Sequence, residues 1–372
     1  SSWQQAGRAG RGERDSLVIL LGFENPLDQF FMKHPREFFD RDHEHAILDL
    51  ENPKITAGHL ACAATEMPIR EDEELGRNYP DEIERLEEEG ILHGTPKGEI
   101  FTGTFRASGV IKLDAISEDT VKVLHNGELL ETMDLSQAYR EAHSGATLLH
   151  QGKTYLVENF NREGLVAEVR WKEVDYYTQA ESTSSLSVNG VNKEKEIRNG
   201  KVYYGDVSVS EVYPRYKIKK YDEVIDVRPL DLPPLEFDTK CSWVNVPPAV
   251  TSQVVDEGRD PRGSLHAIEH AIISLTPFYA MCDRWDIGGF SAYNQAGGGG
   301  TIHIYDGYEG GIGIAEAIYG LMDKLIQRTY ELIRDCDCED GCPSCIYSPK
   351  CGNENRHLDK QGALLLLEQI IA

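Results

Sequence analysis

The 372 residues carry 63 acidic against 38 basic side chains, a formal net charge of -25, and 40% of them are hydrophobic. That length predicts two to four domains of roughly 100–200 residues each, and the apolar content excludes wholesale disorder. Bulk attraction to nucleic acid is excluded, so DNA binding must come from local cation clusters. The early apolar run from Leu17 to Gly22 is far too short for a membrane span or a signal-peptide core, so a cytoplasmic protein is expected.

The chain opens on W-Q-Q-A-G-R-A-G-R, Trp3 to Arg11. Arg8 and Arg11 each follow a glycine, so their planar forks can reach one phosphate cluster while Gly7 and Gly10 allow close backbone approach. The string resembles motif VI of superfamily-2 helicases. That resemblance implies that Arg8 and Arg11 face the ATP γ-phosphate from a second RecA-like domain, with Gln4, Gly7 and Gly10 on the nucleotide side. Leu17 to Leu21 reads as a buried strand, Asn25-Pro26 as a turn, and Leu27 to Phe39 as an aromatic-rich helical segment. Residues 1–50 are thus expected to be the tail of a RecA-like domain cut off on its N-terminal side. No G-x-x-x-x-G-K-[ST] loop and no D-E-x-H box occurs, and the run Gly297 to Gly300 lacks the following lysine. The chain by itself is expected not to hydrolyse ATP.

Residues 51–109 predict two helices and a hairpin. Thr56 can cap a helix running to Ala64, Pro80-Asp81 can start a second ended by Gly90, and Ile91 to Phe105 reads as strand, turn, strand. This order suggests a winged helix. Residues 110–240 change to short alternating segments with a hairpin signal at Asn126-Gly127, a β-rich, barrel-like module. Within it the Ser-, Asn- and Lys-rich stretch from Glu181 to Gly200 suggests a loop or an exposed hairpin tip. Val212 to Tyr221 is the most basic stretch, with Arg215, Lys217 and Lys219 on one strand face and Tyr216 and Ile218 on the other. Such a face suits single-stranded nucleic acid, and a lysine-blunted edge strand explains the same pattern.

Residues 241–372 predict helices over Leu265–Leu275, Ile314–Ile333 and Leu358–Ile371, the middle one with a core stripe of Ile314, Ile318, Leu321, Leu325 and Leu332. Cys336, Cys338, Cys342, Cys345 and Cys351 fall together, a clustering that points to a metal rather than to disulfides. C-P-S-C forms a knuckle, so Cys342 and Cys345 are ligands with Cys338 upstream, and the fourth is Cys336 or Cys351. A structural Zn2+ is expected, with unliganded thiols and an iron–sulfur cluster as alternatives. His266-Ala-Ile-Glu269-His270 is a formal H-x-x-E-H, which makes a zinc peptidase the competing function, with a non-enzymatic scaffold after it. Cys282 to Gly289 mixes charge with Trp, and Tyr305 to Glu316 places glycines before a helix, where they can bare amides to an anion but more often permit tight packing.

Together W-Q-Q-A-G-R-A-G-R, N-P-L-D-Q-F, H-A-I-E-H-A, C-D-R-W-D-I-G-G, Y-D-G-Y-E-G-G and C-x-C-E-D-G-C-P-S-C resemble the C-terminal half of the MrfA-like DNA helicases, over nearly the whole chain. The resemblance implies an ATP- and Mg2+-dependent 3′-to-5′ translocase in DNA repair, a winged helix, and a C-terminal zinc domain held by four cysteines. It also implies two partners: single-stranded or forked DNA, and the N-terminal RecA-like half of the same protein. The expectation is a monomeric, multidomain α+β chain divided into 1–50, 51–109, 110–240 and 241–372.

Overall fold

Asn25 accepts a hydrogen bond from Asp28 N at 2.8 Å and Pro26 takes the first helical position, which starts a helix where the turn signal stood. The computed structural model describes residues 2–10, 12, 15–40, 46–104, 106–109, 119–221 and 223–372. Arg11, Phe105 and the segment from Val110 to Glu118 therefore lie outside the described residues. The N-terminal part holds α1 (Ser2–Ala6), α2 (Pro26–Lys33) and α3 (Pro35–Phe39). The strand expected at Leu17–Leu21 is not formed: the segment makes no strand pairing with any described residue, and Leu17 and Leu21 are 81% and 75% exposed. A strand apolar on both faces needs a sheet beside it, and no described segment of this chain pairs with it.

The winged helix comprises α4 (Pro53–Glu66), α5 (Glu74–Asn78), α6 (Pro80–Glu88) and the hairpin of β1 (Leu92–Thr95) with β2 (Gly98–Phe101). Leu60, Ala64, Ile69, Leu86 and Leu92 form its core. The cap of α4 is Asn52 rather than Thr56: Asn52 Oδ1 accepts from Lys54 N and Ile55 N, while Thr56 donates back to Asn52 O. The buried Asn52 also donates from Nδ2 to Glu309 O and Gly311 O, which fastens this unit to the C-terminal part.

Next come β3 (Thr120–His125), β4 (Glu128–Asp134), α7 (Leu135–Glu141), β5 (Thr147–His150), β6 (Lys153–Asn161) and β7 (Val166–Trp171). They form a sheet in the order β4-β3-β7-β6-β5, with β3 parallel to β7 and the other pairs antiparallel. Asn126 and Gly127 both take positive φ (53° and 81°), as a two-residue hairpin turn requires.

The larger sheet begins with the long hairpin β8 (Tyr177–Ile197) and β9 (Gly200–Lys220), then β10 (Glu223–Pro229) and β11 (Leu235–Val246). After α8 (Pro248–Asp256) and α9 (Pro261–Leu275) it is completed by β12 (Ile287–Tyr293) and β13 (Gly300–Asp306), in the order β10-β9-β11-β13-β12 with β8 on the other edge of β9. Two expectations change here. Glu181 to Gly200 is mostly strand, because its polar residues alternate on the outer strand of a hairpin whose partner β9 carries the apolar face. The boundary expected at 240 falls inside β11, which pairs with β9 before it and β13 after it.

Helices α9, α10 (Ile314–Arg334) and α11 (Lys360–Ile371) pack over this sheet around a core including Ile268, Ile272, Ile304, Ile318, Met322 and Leu366. Asp306 at the end of β13 caps α10 from within: its carboxylate accepts from Ile312 N, Gly313 N and Ala315 N at 2.7, 3.0 and 2.7 Å. The bared amides of this glycine-rich turn are therefore filled by the chain's own carboxylate. Gly313 itself sits at φ 92°, a conformation few side chains tolerate.

Candidate metal centres and nucleic-acid surface

Four of the five clustered cysteines converge just after α10. Sulfur–sulfur distances are 3.6 Å for Cys336–Cys338, 3.5 Å for Cys336–Cys342, 3.5 Å for Cys338–Cys345 and 3.8 Å for Cys342–Cys345. A tetrahedral zinc with bonds of about 2.3 Å has sulfurs about 3.8 Å apart, so this donor set fits the ion with shifts of a few tenths of an ångström. Cys336, not Cys351, is the fourth member. The buried Lys360, at the start of α11, donates to the carbonyls of Cys336 and Cys338 and lies 3.4 Å from the Cys338 sulfur. Burial pushes the Cys338 thiol up, but its hydrogen bonds with Cys345, Cys336, Cys342 and Lys360 bring it below the ordinary thiol range. A nearby ammonium suits a site that gathers four thiolates around a divalent ion.

Cys351 stands apart, 3.8 Å from His266 Nε2. His266 and His270 lie one turn apart on α9 with ring centroids 4.3 Å apart, and His270 Nδ1 bonds the Ile346 carbonyl at 2.8 Å. Burial, with the neighbouring His266, holds His270 down at about 3, and burial lowers His266 too, so both rings are neutral at neutral pH. Glu269 is also buried; that burial pushes its carboxyl up to about 7 while a hydrogen bond with Ser291 pulls it back. A Cβ at Gly289 would stand 2.6 Å from Glu269 Oε1, which explains a glycine in β12 opposite this helix.

The helicase-like string lies at the surface. Gln4, Gly7, Arg8 and Gly10 are exposed on α1 and the turn after it, where Gly7 N bonds Trp3 O. Trp3 anchors this turn by stacking on Phe38 at 5.6 Å and meeting Phe39 edge-on. The aromatic chain continues through Phe31 and Phe30 to Phe278, just beyond α9, with Phe30–Phe278 centroids 5.0 Å apart. Lys33 donates to Asp335 O, and Arg328 of α10 pairs with Glu37 at 3.2 Å. The helices that carry the arginine turn are thus docked directly beside the four-cysteine centre.

The basic strand face is not a free row of three cations. Lys217 is buried and pairs with both Glu181 and Glu354, and Arg215 pairs with Glu181. The register of β8 on β9 sets Glu181 opposite Arg215, a juxtaposition invisible to local pattern. Tyr216 and Ile218 are buried, as the alternation predicts. Arg215 keeps 59% of its side chain exposed, and Lys219 lies over the Tyr177 ring at 5.8 Å.

Residues 48–102 match the winged helix domain of the ATP-dependent helicase HRQ1, and residues 268–346 match the MrfA Zn-binding domain. The "Uncharacterized ATP-dependent helicase YprA" of Bacillus subtilis is 35% identical over 383 residues, covering 100% of this chain and 50% of that protein. This chain matches the C-terminal half of the MrfA-like helicases. The crystal structure of the DUF1998 helicase MrfA is similar with a TM-score of 0.64 and 30% identity, over 93% of this chain and 49% of that one. MrfA bound to DNA is similar with a TM-score of 0.54 and 34% identity, over 99% of this chain and 50% of that one. The chain spans about half the length of these MrfA-like relatives and corresponds to their C-terminal half. H-x-x-E-H lies on α9 where the match to the MrfA Zn-binding domain begins, which favours the helicase reading over the peptidase one. No described helix is long and apolar enough to cross a membrane.

Proposed function

We propose that this chain is the DNA-gripping C-terminal half of an ATP-dependent 3′-to-5′ DNA helicase that acts in repair in the cytoplasm. The observation that carries the proposal is the match of 99% of this chain to MrfA bound to DNA, with a winged helix and a four-cysteine centre in place. Residues 1–50 belong with a RecA-like motor domain, whose sheet covers the exposed apolar segment Leu17–Leu21. Residues 51–109 form the winged helix, the β-rich module runs from 110 into the large sheet, and the helices and loops after β11 hold the zinc.

Arg8 and Arg11 act as arginine fingers toward the γ-phosphate of Mg-ATP held by the N-terminal RecA-like half, with Gln4, Gly7 and Gly10 lining the same side. Their planar, permanently charged forks stabilise the charge spread over the equatorial oxygens during phosphoryl transfer. Trp3 supports this assignment by holding the turn against Phe38 and Phe39. The Cys336, Cys338, Cys342 and Cys345 thiolates hold a structural zinc that closes the last domain. The protein works as a monomer on single-stranded or forked DNA.

ATP turnover tests the reading. The chain alone gives none above background, and joining it to the RecA-like half gives DNA-stimulated hydrolysis. In the joined protein Arg11→Ala lowers turnover roughly 10³-fold with little loss of nucleotide binding. ATP hydrolysis by the purified chain alone, or full turnover by the Arg11→Ala protein, overturns the proposal.

A further inference from the structure

Outside the four-cysteine centre, His266, His270 and Cys351 bring three metal-binding atoms within 4.8 Å of one another. We propose that these three side chains bind a second zinc ion, with the fourth coordination position open to the cavity they line.

The geometry suits the ion. Positions four apart on a helix share a face, so His266 and His270 present both imidazoles to the same point. The His266 Nε2 to Cys351 Sγ distance of 3.8 Å is close to the tetrahedral nitrogen–sulfur edge of about 3.6 Å that zinc bond lengths imply. His270 is oriented by an outer partner: its Nδ1–H donates to the Ile346 carbonyl at 2.8 Å, which leaves the Nε2 lone pair for the metal. Ligating histidines are characteristically fixed in this way. The carbonyl comes from the residue after Cys345, so the two centres are neighbours along the chain without sharing a ligand.

The loop that delivers Cys351 gives an independent reason for a fastening here. Glu354, Asn355 and His357, none of them glycine, take φ of 60°, 60° and 62°. Such conformations are costly and persist where the surroundings over-determine them. Asn355 ties one side of the loop to Ser348 N and O at 2.7 and 3.0 Å. On the α9 side, by contrast, the Cys351 thiol meets His266 only at 3.8 Å and otherwise donates to Asn353 within its own loop. A metal bridging Cys351 to α9 links segments far apart in sequence, and metal bound only in the folded state stabilises that state.

Three protein ligands leave zinc one position, in contrast to the closed four-thiolate centre. The position faces a cavity of about 780 Å3 whose walls include Asp260, Arg262, Glu269 and Arg356. It takes water or an anionic oxygen, which Arg262 and Arg356 favour by charge. This inference is independent of the helicase reading, since it concerns metal content and not turnover.

The full chain, purified in zinc-containing reducing buffer and desalted, is expected to carry two zinc ions by mass spectrometry of the metal. Cys351→Ala and His266→Gln should each retain one, and so should the double variant Cys342→Ser/Cys345→Ser. Cobalt substitution adds a spectroscopic reading: Cys351→Ala removes the share of one thiolate in five from the sulfur-to-cobalt charge-transfer band. His266→Gln lies on a different element from Cys351, so a folding defect peculiar to one variant does not decide the outcome. One zinc in the unaltered chain overturns the proposal, as do two zincs in a folded His266→Gln or Cys351→Ala protein.

Discussion

His303 shows how one side chain can carry a pH dependence. It lies in β13 between Trp243 and Phe290, with ring centroids 5.8 and 6.0 Å away, and its Nδ1 bonds the Phe290 carbonyl. Burial holds its pKa down at about 4, against about 6.5 in an unfolded chain. Above pH 6.5 the ring is neutral in both states and contributes no pH slope. As pH falls from 6.5 toward 4, the unfolded chain binds a proton that the folded one refuses, and stability drops by roughly 3 kcal/mol in all. Urea unfolding of the unaltered and His303→Gln proteins at pH 7.5, 6, 5 and 4.5 should therefore show a shallower acid loss in the variant. Parallel curves sink this assignment. Lys360 is the second single residue to test. Its ammonium is buried against Cys336 and Cys338, so Lys360→Met should weaken zinc retention roughly tenfold or more in a chelator competition, as loss of an outer partner does.

Among the elements, those with strong local signals form where the sequence places them. The stripe of α10 is buried at Ile314, Ile318, Leu325 and Leu332, and Met322 and Ile326 join it. Asn126-Gly127 makes its hairpin because both residues tolerate positive φ. Elements whose state depends on a neighbour were harder to read. β8 looks like a loop because it is polar, yet the ladder to β9 holds it. Leu17–Leu21 looks like a strand because it is apolar, yet it has no described ladder to join. Helices α10 and α11 flank the four-cysteine centre along the chain. Cys342→Ser with Cys345→Ser should release that zinc and lower the Tm by at least about 10 °C, since the metal's binding energy is folding energy. Calorimetry with metal analysis checks this, and an unchanged Tm with full zinc occupancy refutes it.

Across the molecule the charge of -25 opposes long-range attraction to DNA, so the proposed DNA binding must come from local cation clusters and weaken with salt. Arg215 stays exposed beside Glu181 and Lys219 is half-buried over Tyr177, whereas Lys217 is committed to Glu181 and Glu354. Arg215→Gln with Lys219→Gln should weaken single-strand binding at low salt and flatten its slope against log salt by up to about two phosphates' worth. Fluorescence anisotropy across a salt series measures it, and an unchanged slope leaves β9 without a DNA role. The same contrast marks how far primary structure reaches. Spacing alone made Cys338, Cys342 and Cys345 ligand candidates, because a metal knuckle is a local geometry, and the short string around Arg8 carried the helicase likeness. The choice of Cys336 over Cys351 required the fold, since the loop after Tyr347 turns Cys351 toward α9. So did the pairing of Lys217, which rests on carboxylates from β8 and from a loop 137 residues away. Local periodicity and spacing are written along the chain, but proximity between distant segments comes only from the packing of the large sheet and its helices.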